Sequence, residues 1–374
     1  MGNGSFLSKV TKALIAALFL LVMFPLAACS LPAPQSTTLE NPYPLAELGP
    51  YPVGQRSVTF VDDNRDQRVI TMTIWYPAVL HADTASSPPI QDAAPDLSSA
   101  PYPLLLTGRK YTAEVLFAPH LVSYGFVVVA IEPMYGPNIW GTELVDAPLD
   151  LLSALNSIED HPPEELEGVV DTNRVGVLGY SFDGYTALAL SGARADPQFY
   201  LAQCAGAAGM QPKPPDWWIN YICTMSQNWD AFSAYAGEEI TTSEDGLWQP
   251  ITDGRILAVM PMAPEGAWLF GKRGLESVDR PCLVIGATAD NINFYDLEAV
   301  YIFEHLGTPD KTMISLVGMG HMKSPETGQL KRIRHFAVAF FAYHLQGRAD
   351  NAQYFSQVFV EQHSDLAWGV YTEK

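Results

Sequence analysis

Apolar and polar positions along the chain follow two rhythms. Residues 56–61 and 68–76 alternate, most clearly at Ile70-Thr71-Met72-Thr73-Ile74, and the turn-rich Asp62-Asp63-Asn64-Arg65-Asp66 separates them. Alternation of period two predicts an antiparallel edge hairpin. Further on, short apolar runs recur without alternation at 104–106, 126–131, 174–178, 256–260, 282–286 and 312–316. Such runs suit strands buried on both faces, as in parallel sheets. Helical stretches at 113–123, 148–159, 185–191, 294–306 and 329–345 lie between and after them. Strands alternating with helices predict an α/β class with a mostly parallel central sheet flanked by helices.

Residues 203–254 break this rhythm. They hold Trp217, Trp218, Tyr221, Trp229, Phe232, Tyr235 and Trp248 among Pro212, Pro214 and Pro215. An aromatic-rich stretch of that length packs on something, so it is read as a cap inserted over the sheet. The N-terminus differs again. Lys9 and Lys12 are the only charges before Glu40, and they precede an apolar run from Ala13 to Phe24. That run suits an export signal better than a spanning helix, which needs roughly 20 residues. Leu26-Ala27-Ala28-Cys29 looks like a bacterial lipobox, with Cys29 the residue to be acylated. The expected organisation is a signal over 1–28, a flexible tether over 29–50 and one enlarged domain over 51–374. The expected location is the bacterial cell envelope, outside the cytoplasm, with membrane attachment through Cys29.

Composition sharpens the choice of partners. The 374 residues carry 21 Lys+Arg against 41 Asp+Glu, a formal net charge of −20. So acidic a chain is a poor nucleic-acid binder, because phosphate neutralisation needs a basic face. It would also be repelled by anionic lipid, so attachment would rest on the acyl group and the substrate is expected to be neutral or zwitterionic. Of the four cysteines, Cys282 lies in an apolar strand, while Cys204 and Cys223 either pair outside the cytoplasm or stay free. No cysteine or histidine spacing suggests a metal, and no cofactor is expected. Oligomeric state is left open.

The chemistry concentrates at Gly179-Tyr180-Ser181-Phe182-Asp183-Gly184, between the run at 174–178 and the helix at 185–191. A tight strand-to-helix turn exposes its central side chain, which makes Ser181 a candidate nucleophile. A serine needs a base, and the base needs an orienting acid. Of eight histidines, His321 alone follows a strand in a flexible turn, Val317-Gly318-Met319-Gly320. Asp290 follows the run at 282–286 and is the expected acid, with Glu265, after the preceding strand, as the alternative. The oxyanion donors are expected to be the Phe182 N–H and the Arg109 N–H, from Thr107-Gly108-Arg109-Lys110 after the first buried strand. The neighbouring cations Arg109 and Lys110 could alternatively attract an anionic head group. Tyr180 and Trp268 are expected to shape an apolar acyl pocket.

In chain order Ser181, Asp290 and His321, these residues resemble the α/β-hydrolase superfamily. Among its members the chain is most similar to dienelactone-hydrolase-like and platelet-activating-factor acetylhydrolase-like bacterial esterases, over about 51–347. Thr73-Ile74-Trp75-Tyr76-Pro77 and Ser123-Tyr124-Gly125-Phe126-Val127-Val128-Val129-Ala130 support this, as does Asp171-Thr172-Asn173-Arg174 leading into the serine motif. The resemblance implies an α/β-hydrolase fold and hydrolysis of short-acyl carboxylic esters through an acyl-enzyme, without a metal. A lipid ester of the acetylated phospholipid type is one such substrate. Two positions depart from the family. Leu106-Thr107-Gly108 stands where Ser-His-Gly is usual, and Asp183 stands where glycine is usual. The Gly-x-Ser-x-x-Gly form is similar to that of cocaine-esterase-type and X-prolyl-peptidase hydrolases. Alternatives are a peptidase, lipase or polyesterase with the same triad, or a non-catalytic hydrolase-fold binding lipoprotein.

Overall fold

The computed structural model describes residues 42–80, 89–132, 140–321 and 327–372. The expected signal and Cys29 lie outside the described residues. Residues from Tyr43 onward form one compact unit. It is an α/β structure on a ten-stranded, mostly parallel sheet. In chain order the strands are β1 (Val53–Asp62), β2 (Arg68–Pro77), β3 (Ile90–Gln91), β4 (Tyr102–Arg109), β5 (Val127–Ile131), β6 (Val170–Tyr180), β7 (Ile256–Met262), β8 (Cys282–Ala287), β9 (Lys311–Leu316) and β10 (Leu366–Trp368). Across the sheet they run β10-β9-β8-β7-β6-β4-β5-β2-β1-β3. The block from β5 to β9 is parallel, while β2 joins β5, and β10 joins β9, antiparallel.

Burial explains the two rhythms. In β4, Leu104 and Leu106 enter the core on one face and Leu105 the core on the other; Val127 and Val129 alternate likewise with Val128 and Ala130 in β5. Both faces are dry, so every position is apolar. Each such side chain contributes about 2 kcal/mol by leaving water. The outer hairpin β1–β2 pairs Ser57 with Thr73 and Thr59 with Thr71, and both pairs are joined by hydroxyl hydrogen bonds of 3.1 and 2.9 Å.

Several expected elements change form for local reasons. The helix expected over 113–123 is two, Lys110–Leu116 and Ala118–Val122, broken at Phe117 with φ −145°. Pro119 has no N–H with which to continue the first helix. By contrast, Glu143–Asp160 runs through Pro148. Pro148 cannot donate to the Leu144 carbonyl four residues back, and the Tyr185 hydroxyl donates to that oxygen instead, at 2.7 Å. The stretch expected as a helix over 294–306 is a π turn, Asp296–Val300, followed by Tyr301–His305.

The tether expected over 29–50 is corrected at its C-terminal end, because residues from Tyr43 onward are packed on the body. Tyr43 is buried and stacks on His363. Leu45 N–H donates to His335 Nδ1 at 3.2 Å, and His120 Nε2 donates to the Leu45 carbonyl at 2.8 Å. The stretch at 203–254 contains the short helices Asp216–Ile222, Trp229–Ala236 and Glu238–Thr241. Trp218, Phe232 and Trp248 turn inward, with Trp218 edge-on to Trp268 at 5.0 Å and Trp229 against Trp248 at 5.4 Å, whereas Trp217 and Tyr235 stay half-exposed. Cys204 and Cys223 form a disulfide with Cα atoms 5.6 Å apart, and Cys282 is a buried free thiol. Among the described residues no helix is long and apolar enough to cross a membrane.

Candidate active site

Ser181 stands between the last residue of β6 and the helix Phe182–Leu190. Its backbone has φ 61° and ψ −122°, a region that a non-glycine residue enters at a cost of about 1–3 kcal/mol. The surroundings hold it there. Ser181 N–H donates to the Met262 carbonyl of β7 at 2.9 Å, and its own carbonyl accepts Gly184 N–H at 2.8 Å. Glycine is required at 179, because a Cβ there would lie 1.9 Å from the Asp183 carbonyl oxygen. The glycine displaced to 184 has its own reason, as a Cβ would meet Pro264 Cα at 2.9 Å. Residues 175–193 are otherwise all buried, and Ser181 alone reaches the surface. The strain therefore presents one hydroxyl from an otherwise dry segment.

The candidate base and acid, His321 and Asp290, lie on the turns after β9 and β8. His321 Nδ1 and Asp290 Oδ2 are 2.8 Å apart. Asp290 Oδ1 accepts the N–H groups of Ile292 at 2.8 Å and Asn293 at 2.9 Å. These donors suit an ionised carboxylate, which in turn places the imidazole proton on Nδ1 and leaves Nε2 as acceptor. The Tyr180 ring meets the His321 ring at 5.1 Å, so the residue before the serine sets the histidine against the end of β6. Among the described residues no hydrogen bond joins Ser181 to His321. Instead Asn293 Nδ2 donates to Ser181 Oγ at 3.4 Å while also donating to the Ala263 carbonyl at 2.9 Å. The carbonyl can only accept, which identifies the Asn293 nitrogen. A loose serine contact is common before substrate tightens the site.

Glu265, the alternative acid, lies after β7 and is 1% exposed. It makes no hydrogen bond to His321 among the described residues. Trp140 Nε1 donates to its Oε2 at 3.2 Å, and the Tyr221 hydroxyl from the inserted stretch donates to Oε1 at 3.4 Å. Burial pushes its carboxyl up to about 7, against the Trp140 hydrogen bond and the nearby His321 and Arg109 charges. Behind it Glu298 is fully buried, with Oε2 accepting Ala267 N–H at 2.9 Å and Oε1 without a partner. Burial holds that carboxyl well above its ordinary range. Trp268 is buried beneath this region, against Trp218.

Phe182 is the first residue of the helix Phe182–Leu190, directly after Ser181. Arg109 closes β4 as expected, but its N–H is aimed at Asp183 Oδ2, 3.4 Å away. Arg109 Nε lies 3.3 Å from each oxygen of the same carboxylate. Lys110 pairs with Glu132 at 2.7 Å. Asn293, Glu298 and the Asp183–Arg109 pair are contributions that sequence reasoning missed. Asn293 sits three residues after Asp290, but an asparagine has no periodic signature, and its partner is 112 residues away. Among the described residues no group of three or more His, Cys, Asp or Glu side chains is placed to hold a metal ion. No protein-family model matches the chain, and no curated protein matches it.

Proposed function

We propose that the protein is a serine esterase of the α/β-hydrolase type that cleaves short-acyl carboxylic esters. One observation carries this reading: Ser181 is held at positive φ on a strand-to-helix turn, and Tyr180 just before it meets the ring of a His321 that is hydrogen-bonded to Asp290, whose other oxygen accepts two main-chain N–H groups. In the reaction Ser181 Oγ bonds to the ester carbonyl carbon while its proton passes to His321 Nε2. The tetrahedral oxyanion is held by the Phe182 N–H and a second donor on the Arg109 turn. The carbon–oxygen bond to the alcohol breaks, and His321 returns the proton to the departing alkoxide. Water then gives a proton to His321 and its oxygen to the acyl carbon, releasing the acid and restoring Ser181. Asp290 stays ionised throughout, fixing the tautomer and stabilising the imidazolium.

The neutral-leaning Glu265, held by Trp140 and Tyr221, favours an uncharged acyl group over an anionic one. Export and anchoring through acylated Cys29 belong to the same proposal. The Cys204–Cys223 disulfide supports it, because such bonds persist outside reducing compartments. Hydrolysis of p-nitrophenyl acetate tests the reading. Ser181→Ala should lower kcat by several orders of magnitude, since the residual rate would rest on the oxyanion donors alone. Turnover close to that of the unaltered protein would reject it.

A further inference from the structure

The turn after β8 carries more than Asp290. Asp290 Oδ1 accepts the Asn293 main-chain N–H at 2.9 Å, so the two residues form one compact turn. Asn293 is 2% exposed, and its side chain reaches the end of β7. There two successive carbonyls divide the work. The Met262 carbonyl accepts Ser181 N–H at 2.9 Å, and the Ala263 carbonyl accepts Asn293 Nδ2 at 2.9 Å. Ala263 is itself fixed, with φ 40° and its N–H donated to the Ile285 carbonyl of β8 at 2.8 Å. The amide is therefore held through its main chain on one side and by a β7 carbonyl on the other. Its second hydrogen serves Ser181 Oγ, 3.4 Å from the nitrogen.

An amide nitrogen only donates, whereas a serine hydroxyl offers one proton and two lone pairs. With Asn293 Nδ2 on one lone pair, the Ser181 proton must point elsewhere. Asp290 on Nδ1 leaves His321 Nε2 as the acceptor for it. We propose that Asn293 is a further catalytic residue of the hydrolysis, donating through Nδ2–H to Ser181 Oγ. The inference rests on the esterase reading above. In acylation the amide keeps the hydroxyl proton turned to the base while Oγ bonds to the carbonyl carbon. In deacylation the bond between that carbon and Oγ breaks, the electron pair stays on Oγ, and the proton comes from His321 Nε2. The Asn293 N–H stabilises the negative charge on Oγ until that proton arrives. A hydrogen bond to an ionised oxygen is shorter and roughly twice as strong as a neutral one, so the 3.4 Å resting contact tightens as charge develops. This task falls on the nucleophile oxygen itself and is separate from holding the carbonyl oxyanion.

The test uses the full-length protein and p-nitrophenyl acetate, with the burst of p-nitrophenol read for acylation and the steady state for deacylation. Asn293→Asp keeps the shape and the main-chain N–H on Asp290 but replaces the donor by an acceptor. Both rates should fall about 10–100-fold, the worth of one hydrogen bond to a charged oxygen. Either rate within about threefold of the unaltered protein would overturn the proposal. Asn293→Ala opens a space that water can enter and donate from, so the loss in kcat should be smaller, about three- to tenfold. In that variant the pH midpoint of kcat/KM, which reports the base of the free enzyme, should stay where it is in the unaltered protein. A shifted midpoint would mean that the side chain acts only through Asp290 and His321, and would overturn the proposal equally. Should Asn293→Asp fail to melt cooperatively, Asn293→Ala decides alone, with a kcat loss under about threefold as the contradicting result. An unaltered protein that neither turns over the ester nor reacts with a fluorophosphonate would instead reject the esterase reading, and this inference with it.

Discussion

The turns after β7 and β8 each carry a buried acid, and the two acids are treated in opposite ways. Asp290 receives two main-chain N–H groups on one oxygen and His321 on the other, all within 2.9 Å. Glu265 receives one indole and one phenol at 3.2 and 3.4 Å, with no main-chain donor among the described residues. Short donors from the backbone compensate a carboxylate for lost water, whereas two longer, neutral contacts do not. Burial therefore wins at Glu265, whose carboxyl rises to about 7. The donors supplied by the following turn are what set the two carboxyls apart.

Four changes test that contrast. Asp290→Asn should have the largest effect, lowering kcat by roughly 10³–10⁴-fold because the imidazole would lose its tautomer control. A steady-state assay checks this, and a small loss would shift the role to another acid. Asn293→Ala should cost about three- to tenfold in kcat, since its amide holds Ser181 Oγ and anchors the Ala263 carbonyl. Glu265→Gln should change kcat by no more than about threefold, as the group orients no base. Its signature lies in stability. A carboxyl at about 7 in the folded state, against an ordinary 4.5, favours folding while protonated. Its contribution is therefore full below about pH 4.5 and lost as pH rises through 7, a span worth on the order of 3 kcal/mol. Denaturant titrations at pH 4.5 and 8 should show this slope reduced in Glu265→Gln, and an unaltered slope would contradict the pairing. The smallest effect on catalysis is expected from replacing Cys204 and Cys223 by serine. It should leave kcat within about twofold while lowering stability by about 3 kcal/mol, read by denaturant melting.

The contrast also marks what the sequence could convey. Runs at 104–106 and 126–131 announce central strands because both faces are dry; β4 includes the first, and β5 includes the second except Phe126. Ser181, Asp290 and His321 were legible as candidates because each stands shortly after the C-terminal end of an apolar run, on the segments that follow β6, β8 and β9. The distinction between Asp290 and Glu265 had no such signal. It depends on Trp140 and Tyr221, 125 and 44 residues from Glu265 along the chain. The Asp183 contact is similar, joining residues 74 apart through the space over Gly108. The short strands β3 and β10 contain two and three residues, too few for any periodicity to register. Likewise, the docked segment from Tyr43 is tied down by His120 and His335, whose apolar neighbours on helices mask their polar task.

We propose Ser181 as an activated nucleophile served by His321 and Asp290. Labelling of the intact protein with a fluorophosphonate probe, followed by peptide mass spectrometry, tests it most directly. The probe should attach at Ser181, with labelling abolished in Ser181→Ala and slowed by orders of magnitude in Asp290→Asn. An unlabelled Ser181 in folded protein, or attachment at another serine, would contradict it.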